Sequence, residues 1–174
     1  GIAYLHEAGI NQPSRFGDVK AAPGPVLTMF KYPWRRVLST PWRDANPFFH
    51  LYESLWMIAG ANDVLSVQRY SLFISQFSDN GKTFHGAYGH RWREHFEMDQ
   101  LSAIIEALRK NPNDRRLVLQ MWDPATDLCR DGKDFPCNTA IYFRVRAGKL
   151  TMTVTNRSND ILWGLYGANA VHMS

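Results

Sequence analysis

Hydrophobic positions change period along the chain and divide it into a helical stretch and a stranded one. Leu101, Ile104, Ile105 and Leu108 fall at i, i+3, i+4 and i+7, so residues 99–110 are expected to form an amphipathic helix that Asn111-Pro112 ends. Residues 47–60 (PFFHLYESLWMIAG) are apolar on nearly every helical face, which predicts a deeply buried helix started by Pro47 and stopped by Gly60. Residues 64–77 suit a further helix, followed by a turn at Asp79-Asn80-Gly81. From residue 116 the period is two. Residues 116–122 (RLVLQMW) predict a strand, and residues 139–146 and 149–155 flank Ala147-Gly148 as a hairpin. In that hairpin Thr151, Thr153 and Thr155 share one face, opposite Leu150, Met152 and Val154. Nearer the start, residues 26–30 predict a strand that Tyr32-Pro33 ends, and the Pro- and Gly-rich residues 11–25 predict a loop.

Helix-compatible sequence resumes after Asp160 and runs to Ala170-Val171-His172-Met173-Ser174. The order of elements predicts an α+β fold around one large sheet, and no linker interrupts it, so residues 1–174 are expected to be a single domain. The sequence stops inside an apolar helical pattern without polar punctuation, and a fold lacking its C-terminal part is therefore expected.

At 174 residues, 45% hydrophobic and 21% charged, the chain can build a core without disulfides or metal and is too apolar for intrinsic disorder. No apolar run approaches the roughly 18 residues of a membrane span, and GIAYLHEAGINQPSR lacks the order of a secretory signal, so a soluble protein is expected. Cys129 and Cys137 are too few for a disulfide framework, which favours a reducing, cytoplasmic setting and leaves a reactive thiol open. A net charge of +4 suits an anionic partner, either a nucleotide or a nucleic acid. The arginines are scattered rather than gathered into the run of a nucleic-acid arm, which favours the small ligand.

Cys137 lies in Asp134-Phe135-Pro136-Cys137-Asn138-Thr139, where a loop becomes a strand. A thiol there is held yet reachable, which suits a nucleophile; a small buried hydrophobe is the alternative. Arg157-Ser158 ahead of a helix start offers a guanidinium, a hydroxyl and free backbone N–H groups, a set that suits a phosphate. Ser158 or Asp160 serves equally well as a helix N-cap. Asn169 can present a donor and an acceptor to a base edge, or satisfy buried backbone. His85, His90 and His95 recur at intervals of five, which on a helix spreads them around its surface, and no metal site is expected from them.

Five ordered stretches join these residues: Glu53-Ser54-Leu55-Trp56, Gly86-Ala87-Tyr88-Gly89 with Trp92-Arg93, Asp99-Gln100-Leu101, Asp114-Arg115-Arg116, and Pro136-Cys137 onward through Arg157-Ser158, Asp160 and Gly164-Leu165. Together they cover almost the whole chain, and the set resembles the thymidylate synthases and their relatives, the pyrimidine-nucleotide hydroxymethylases. The resemblance implies a large twisted mixed sheet covered by helices, with one sheet face used for a homodimer. It implies transfer of one carbon from 5,10-methylenetetrahydrofolate to C5 of a pyrimidine nucleoside monophosphate. dUMP is expected first and dCMP or CMP is the alternative; a non-catalytic nucleotide or nucleic-acid binder is the reading of another class.

By the same implication Cys137 adds as a thiolate to C6 of the base. Glu53 organises proton transfers, Tyr88 positions a water or assists proton removal from C5, and Asp160 contacts the pterin. Arg15, Arg157 and Ser158 hold the phosphate, while Arg115 and Arg116 reach across the dimer to the neighbour's phosphate, so that sites are shared. Asn138 and Asn169 belong to the substrate site, Asn169 reading the N3/O4 edge, and an amide there predicts dUMP over dCMP.

The chain also departs from the family. Asn138 stands where the family usually has a histidine after the nucleophile, and one extra residue separates Gly164-Leu165 from Asn169. Residues 71–84 hold Phe73 and Phe77 but no tryptophan, where methylating members keep one to shield the exocyclic methylene. Capture of that methylene by water, giving a hydroxymethyl product, is then as open as methylation.

Overall fold

The structure is a computed structural model that describes residues 1–15, 17–37 and 41–173, and of residue 42 the backbone alone. Helix α1 (Ile2–Ala8) leads into a two-stranded antiparallel ribbon, β1 (Ile10–Ser14) and β2 (Gly17–Ala21), where the sequence predicts a loop. A ribbon of two strands is all edge, so it accommodates Pro13, and Gly17 at φ +101° supplies the reversal. Residues 26–30, expected as a strand, pair with nothing among the described residues, and Val26, Leu27 and Met29 stand exposed.

Asn46 caps α2 (Pro47–Ile58) by accepting the Phe48 and Phe49 N–H groups, and Gly60 at φ +76° ends it. The helix is where the pattern puts it, but it is not deeply buried. His50, Trp56 and Met57 face inward, whereas Phe48, Leu51, Leu55 and Ile58 form an exposed apolar stripe. The helix expected over 64–77 divides into α3 (Val64–Gln68) and a 3₁₀ turn, Leu72–Phe77. The break follows from Tyr70 and Ser71, whose N–H groups both return to Val67 O and close α3. Next come α4 (Tyr88–Arg93) and α5 (Gln100–Lys110), the latter capped by Asp99 through Ser102 N at 2.9 Å. Ile104 is buried in α5, while Ile105, grouped with it by periodicity, is 40% exposed at the edge of that face.

The sheet is β3 (Val118–Gln120), β4 (Asn138–Arg146) and β5 (Lys149–Asn156), with α6 (Pro124–Asp127) between the first two strands. Its three strands are all antiparallel, so among the described residues it is smaller than the large mixed sheet expected, although the α+β class holds. Ala147 (φ 49°) and Gly148 (φ 72°) make the tight turn between β4 and β5. Leu117, Leu119, Met121 and Ile141 point into the core, and Met152 and Val154 pack behind them. Thr151, Thr153, Thr155 and Tyr142 occupy the exposed face, as the alternation predicts. Trp56 and Met57 of α2, Val64 and Val67 of α3, Trp92 of α4 and Ile104 of α5 close the core from the helical side. The chain then runs through a π-type helical segment, Ile161–Ala168, which breaks at Gly167, into the short helix α7 (Asn169–His172). No helix among the described residues is long and apolar enough to cross a membrane.

Candidate functional site

Cys137 ends the loop ahead of β4 and is half-buried, as its place between loop and strand predicts. The register between β4 and β5 slips between Asn138 and Ala140, a bulge immediately after the thiol. There Thr139 O accepts both Met121 N at 2.9 Å and Trp122 N at 3.1 Å. Arg157 braces the same loop. Its backbone N donates to Cys137 O at 3.0 Å, its Nε to Pro136 O at 2.9 Å and its Nη2 to Phe135 O at 3.2 Å. Its guanidinium also lies 5.4 Å from the Trp122 ring centre. From the tip of the β1–β2 ribbon, Arg15 Nη1 donates to Lys133 O at 2.7 Å. Two distant arginines thus meet on the segment that carries Cys137.

Tyr88, the first residue of α4, reaches this loop from the helical layer. Its hydroxyl accepts Asn138 N at 3.3 Å, and burial, followed by the charge of Cys137, pushes its phenol well above the usual value. It is therefore a neutral hydroxyl throughout the physiological range. Two glycines let α4 approach so closely. A Cβ on Gly89 would overlap Met57 O of α2, and one on Gly86 would stand 2.9 Å from both Phe135 C and Pro136 N. Gly86 N donates to Asp134 at 2.9 Å, and burial raises that carboxyl. Sequence reasoning gave Asp134 no role, although it opens the segment that ends in Cys137.

A chain of amides continues from the bulge. Asn138, fully buried, donates from Nδ2 to Asn169 Oδ1 at 3.1 Å, and Asn169 Nδ2 donates to Asn159 Oδ1 at 2.8 Å. One turn further along α7, His172 Nε2 stands 2.9 Å from Glu53 Oε2 on α2. His50 lies one turn before Glu53, its ring centre 6.2 Å from that of His172. Burial, then His172, lowers the His50 pKa, against the pull of Glu53, so it is neutral near pH 7. Sequence reasoning found Glu53 but missed both histidines. The i, i+3 spacing of His50 and Glu53 was readable; the approach of His172 was not.

The remaining predicted residues do not join this group. Asp160 is the N-cap of Ile161–Ala168, accepting Leu162 N and Trp163 N on Oδ1, and Ser158 is exposed beside it. Arg115 and Arg116 sit exposed at the corner between α5 and β3, with Arg116 Nη2 2.8 Å from Asp114. The expected spreading of His85, His90 and His95 does not hold, because α4 spans only Tyr88–Arg93 and the outer two lie beyond its ends. His95 comes within 6.5 Å of His85 and 6.2 Å of His90, ring centre to ring centre. Between them Arg91 and Asp127 form an ion pair at 2.9 Å with both side chains at 0% exposure.

The profile of the thymidylate synthase family matches residues 25–172. A protein of Pseudomonas phage M6 named deoxyuridylate hydroxymethyltransferase is 57% identical over 99% of this chain and 50% of its own length. A protein of the same name from Bacillus phage SP01 is 39% identical over 91% of this chain and 46% of its own. The chain thus spans about half the length of the curated relatives it matches. The crystal structure of thymidylate synthase from T4 phage superposes with a TM-score of 0.69 at 22% identity, covering 99% of this chain and 64% of that one, a likeness of fold. On the family match and this shared fold, the chain belongs to the thymidylate synthase family.

Proposed function

We propose that this chain carries the nucleophile of a folate-dependent transferase that places a hydroxymethyl group on C5 of dUMP. The observation that carries the reading is Cys137 on its braced, bulged segment, with Tyr88, Arg157 and the Asn138–Asn169 amides around it. The names of the two phage relatives favour dUMP and the hydroxymethyl product, and the lack of tryptophan in residues 71–84 agrees.

C5 of a pyrimidine is a poor nucleophile. Addition of the Cys137 thiolate to C6 moves an electron pair through C5 towards O4, and C5 becomes able to attack carbon. Methylenetetrahydrofolate supplies that carbon. Once C5 has given up its proton, the bond from the carbon to the folate nitrogen breaks, tetrahydrofolate leaves as the amine, and the carbon remains on C5 as an exocyclic methylene. Tyr88 keeps its proton, so its part is to order the water that accepts the C5 proton rather than to act as a phenolate. Arg157 spends two of its N–H groups on Phe135 and Pro136, which leaves others for a phosphate, and Arg15 approaches the same segment. Asn169 presents an amide to the N3/O4 edge once it exchanges its bonds with Asn138 and Asn159. Both cap bonds of Asp160 go to Oδ1, so its other oxygen is the one for an N–H of the pterin. The exposed sheet face of Tyr142, Thr151, Thr153 and Thr155 suits pairing with a second copy, across which Arg115 and Arg116 reach the neighbour's phosphate.

Release of tritium from [5-³H]dUMP with methylenetetrahydrofolate tests the reading. It is expected from the unmodified protein and not from Cys137→Ser; full release by that variant rejects the mechanism. Mass analysis of the product decides the rest. A hydroxymethyl product with unoxidised folate is expected, and a methyl product with dihydrofolate contradicts it. A nucleic-acid binder would instead lose affinity steeply with salt and show no base preference.

A further inference from the structure

Glu53 has company that the transfer reaction does not by itself call for. One ligating atom from each of His50, Glu53 and His172 lies within 4.8 Å of the other two. His50 is 7% exposed and the His172 side chain 2%. His50 Nδ1, Glu53 Oε2 and His172 Nε2 are buried and have no aligned hydrogen-bond partner among the described residues. The 2.9 Å contact between Glu53 and His172 lies off the line of a hydrogen bond. Three buried polar groups that converge without satisfying one another are costly to desolvate unless a small polar molecule joins them.

We infer that His50, Glu53 and His172 cradle one water molecule and that this water becomes the hydroxyl of the product. The inference rests on the reading of the chain as a hydroxymethyl transferase. Water matches the three groups in number and sense: it donates to the Glu53 carboxylate and to neutral His50 Nδ1, and it accepts from His172 Nε2–H. The location fits as well. α7 begins at Asn169, which holds Asn138, the neighbour of Cys137, and His172 is one turn along the same helix. The family's usual histidine after the nucleophile is absent here, and the imidazoles come from α2 and α7 instead.

The step balances. Glu53 takes a proton from the water as its oxygen bonds to the exocyclic methylene carbon on C5, and the displaced C=C pair moves onto O4 as an enolate. The enolate then collapses, C5=C6 reforms, and the Cys137 thiolate leaves C6. The proton held on Glu53 balances the thiolate released. Glu53 is the catalytic base, and His50 and His172 are positioning residues.

The measurement is hydroxymethyl product formed per tritium released, because tritium reports loss of the C5 proton before water is captured. The ratio is expected near one in the unmodified protein. His172→Leu should lower product far more than tritium release, dropping the ratio about tenfold, which corresponds to one lost hydrogen bond to the reacting water. His172→Gln, which restores an N–H donor, should recover part of it, and His50→Phe should lower the same ratio where His172→Leu fails to fold. Equal losses in both signals, or an unchanged ratio in these variants, overturn the cradle. A stoichiometric divalent metal in the purified protein, or loss of product on adding EDTA, also overturns it in favour of a metal site. An unmodified protein that releases no tritium rejects the transfer reaction itself, a separate outcome.

Discussion

Asp127→Ala strips the counter-charge from a guanidinium with no solvent exposure. Arg91 donates to Asp127 Oδ1 at 2.9 Å and Oδ2 at 3.0 Å, to Met121 O at 3.1 Å and to His85 O at 3.0 Å. The carbonyl bonds survive the substitution, but the charge is left buried and unpaired. Breaking such a pair costs about 3–5 kcal/mol, and in a protein of this size each kcal/mol moves Tm by roughly 2–4 °C, so the expected fall is about 6–20 °C. Replacing both partners, Arg91→Met with Asp127→Leu, should recover most of it, since apolar groups need no counter-charge. Calorimetry at neutral pH checks both.

The dependence on pH follows from the same site. Burial alone would raise the Asp127 carboxyl, but the bonds from Arg91, Asp123 N and His85 prevail and hold it below its ordinary value. A depressed carboxyl adds stability above its unfolded pKa, near 4, and loses it as pH falls through the lower folded value. The difference between the parent and Asp127→Ala should therefore shrink below about pH 4. A variant within about 2 °C of the parent at neutral pH, or a double variant worse than the single, refutes the reasoning.

Gly89→Ala should force α4 away from Met57 O and cost about 1–3 kcal/mol, whereas Gly24→Ala, with no atom within 4 Å of the added methyl, should leave Tm unchanged. Equal effects in the two melting curves contradict the close approach. Asn169→Asp keeps the acceptor for Asn138 but replaces the amide donor, so competition assays should show preference shifting from dUMP towards dCMP by about tenfold or more. An unchanged preference removes Asn169 as the base reader.

The sequence revealed most where structure is local. Asp99, the apolar spacing and Asn111 bound α5 within a few residues, and Ala147-Gly148 announces the β4–β5 hairpin. It revealed least where no buried face imposes a pattern. The β1–β2 ribbon is exposed along nearly its whole length, so Pro13 and Gly17 read as loop. Residues 26–30 show the reverse, alternation without a strand to pair with among the described residues. Cys137, Tyr88 and Arg157 each stand in a motif that the sequence displays, and the structure brings the three to one segment. Asp134 and His172 escaped notice because their significance lies in what they face: a glycine N–H and a carboxylate far away in sequence.

The two glycines beside Tyr88 bear on how freely this protein can change. α4 is set against α2 at Gly89 by direct approach to main-chain atoms, and the turn leading into it is set at Gly86 against the backbone of Phe135 and Pro136 and the Asp134 carboxylate. A tyrosine hydroxyl located in that way takes its position from peptide geometry, which every residue type shares. Core side chains around it can drift in size without moving the hydroxyl relative to Cys137, so long as the two glycines stay. Tolerance of variation across the core and intolerance at two small residues are then one property, and it lets Tyr88 and Cys137 keep their spacing while the rest of the sequence diverges.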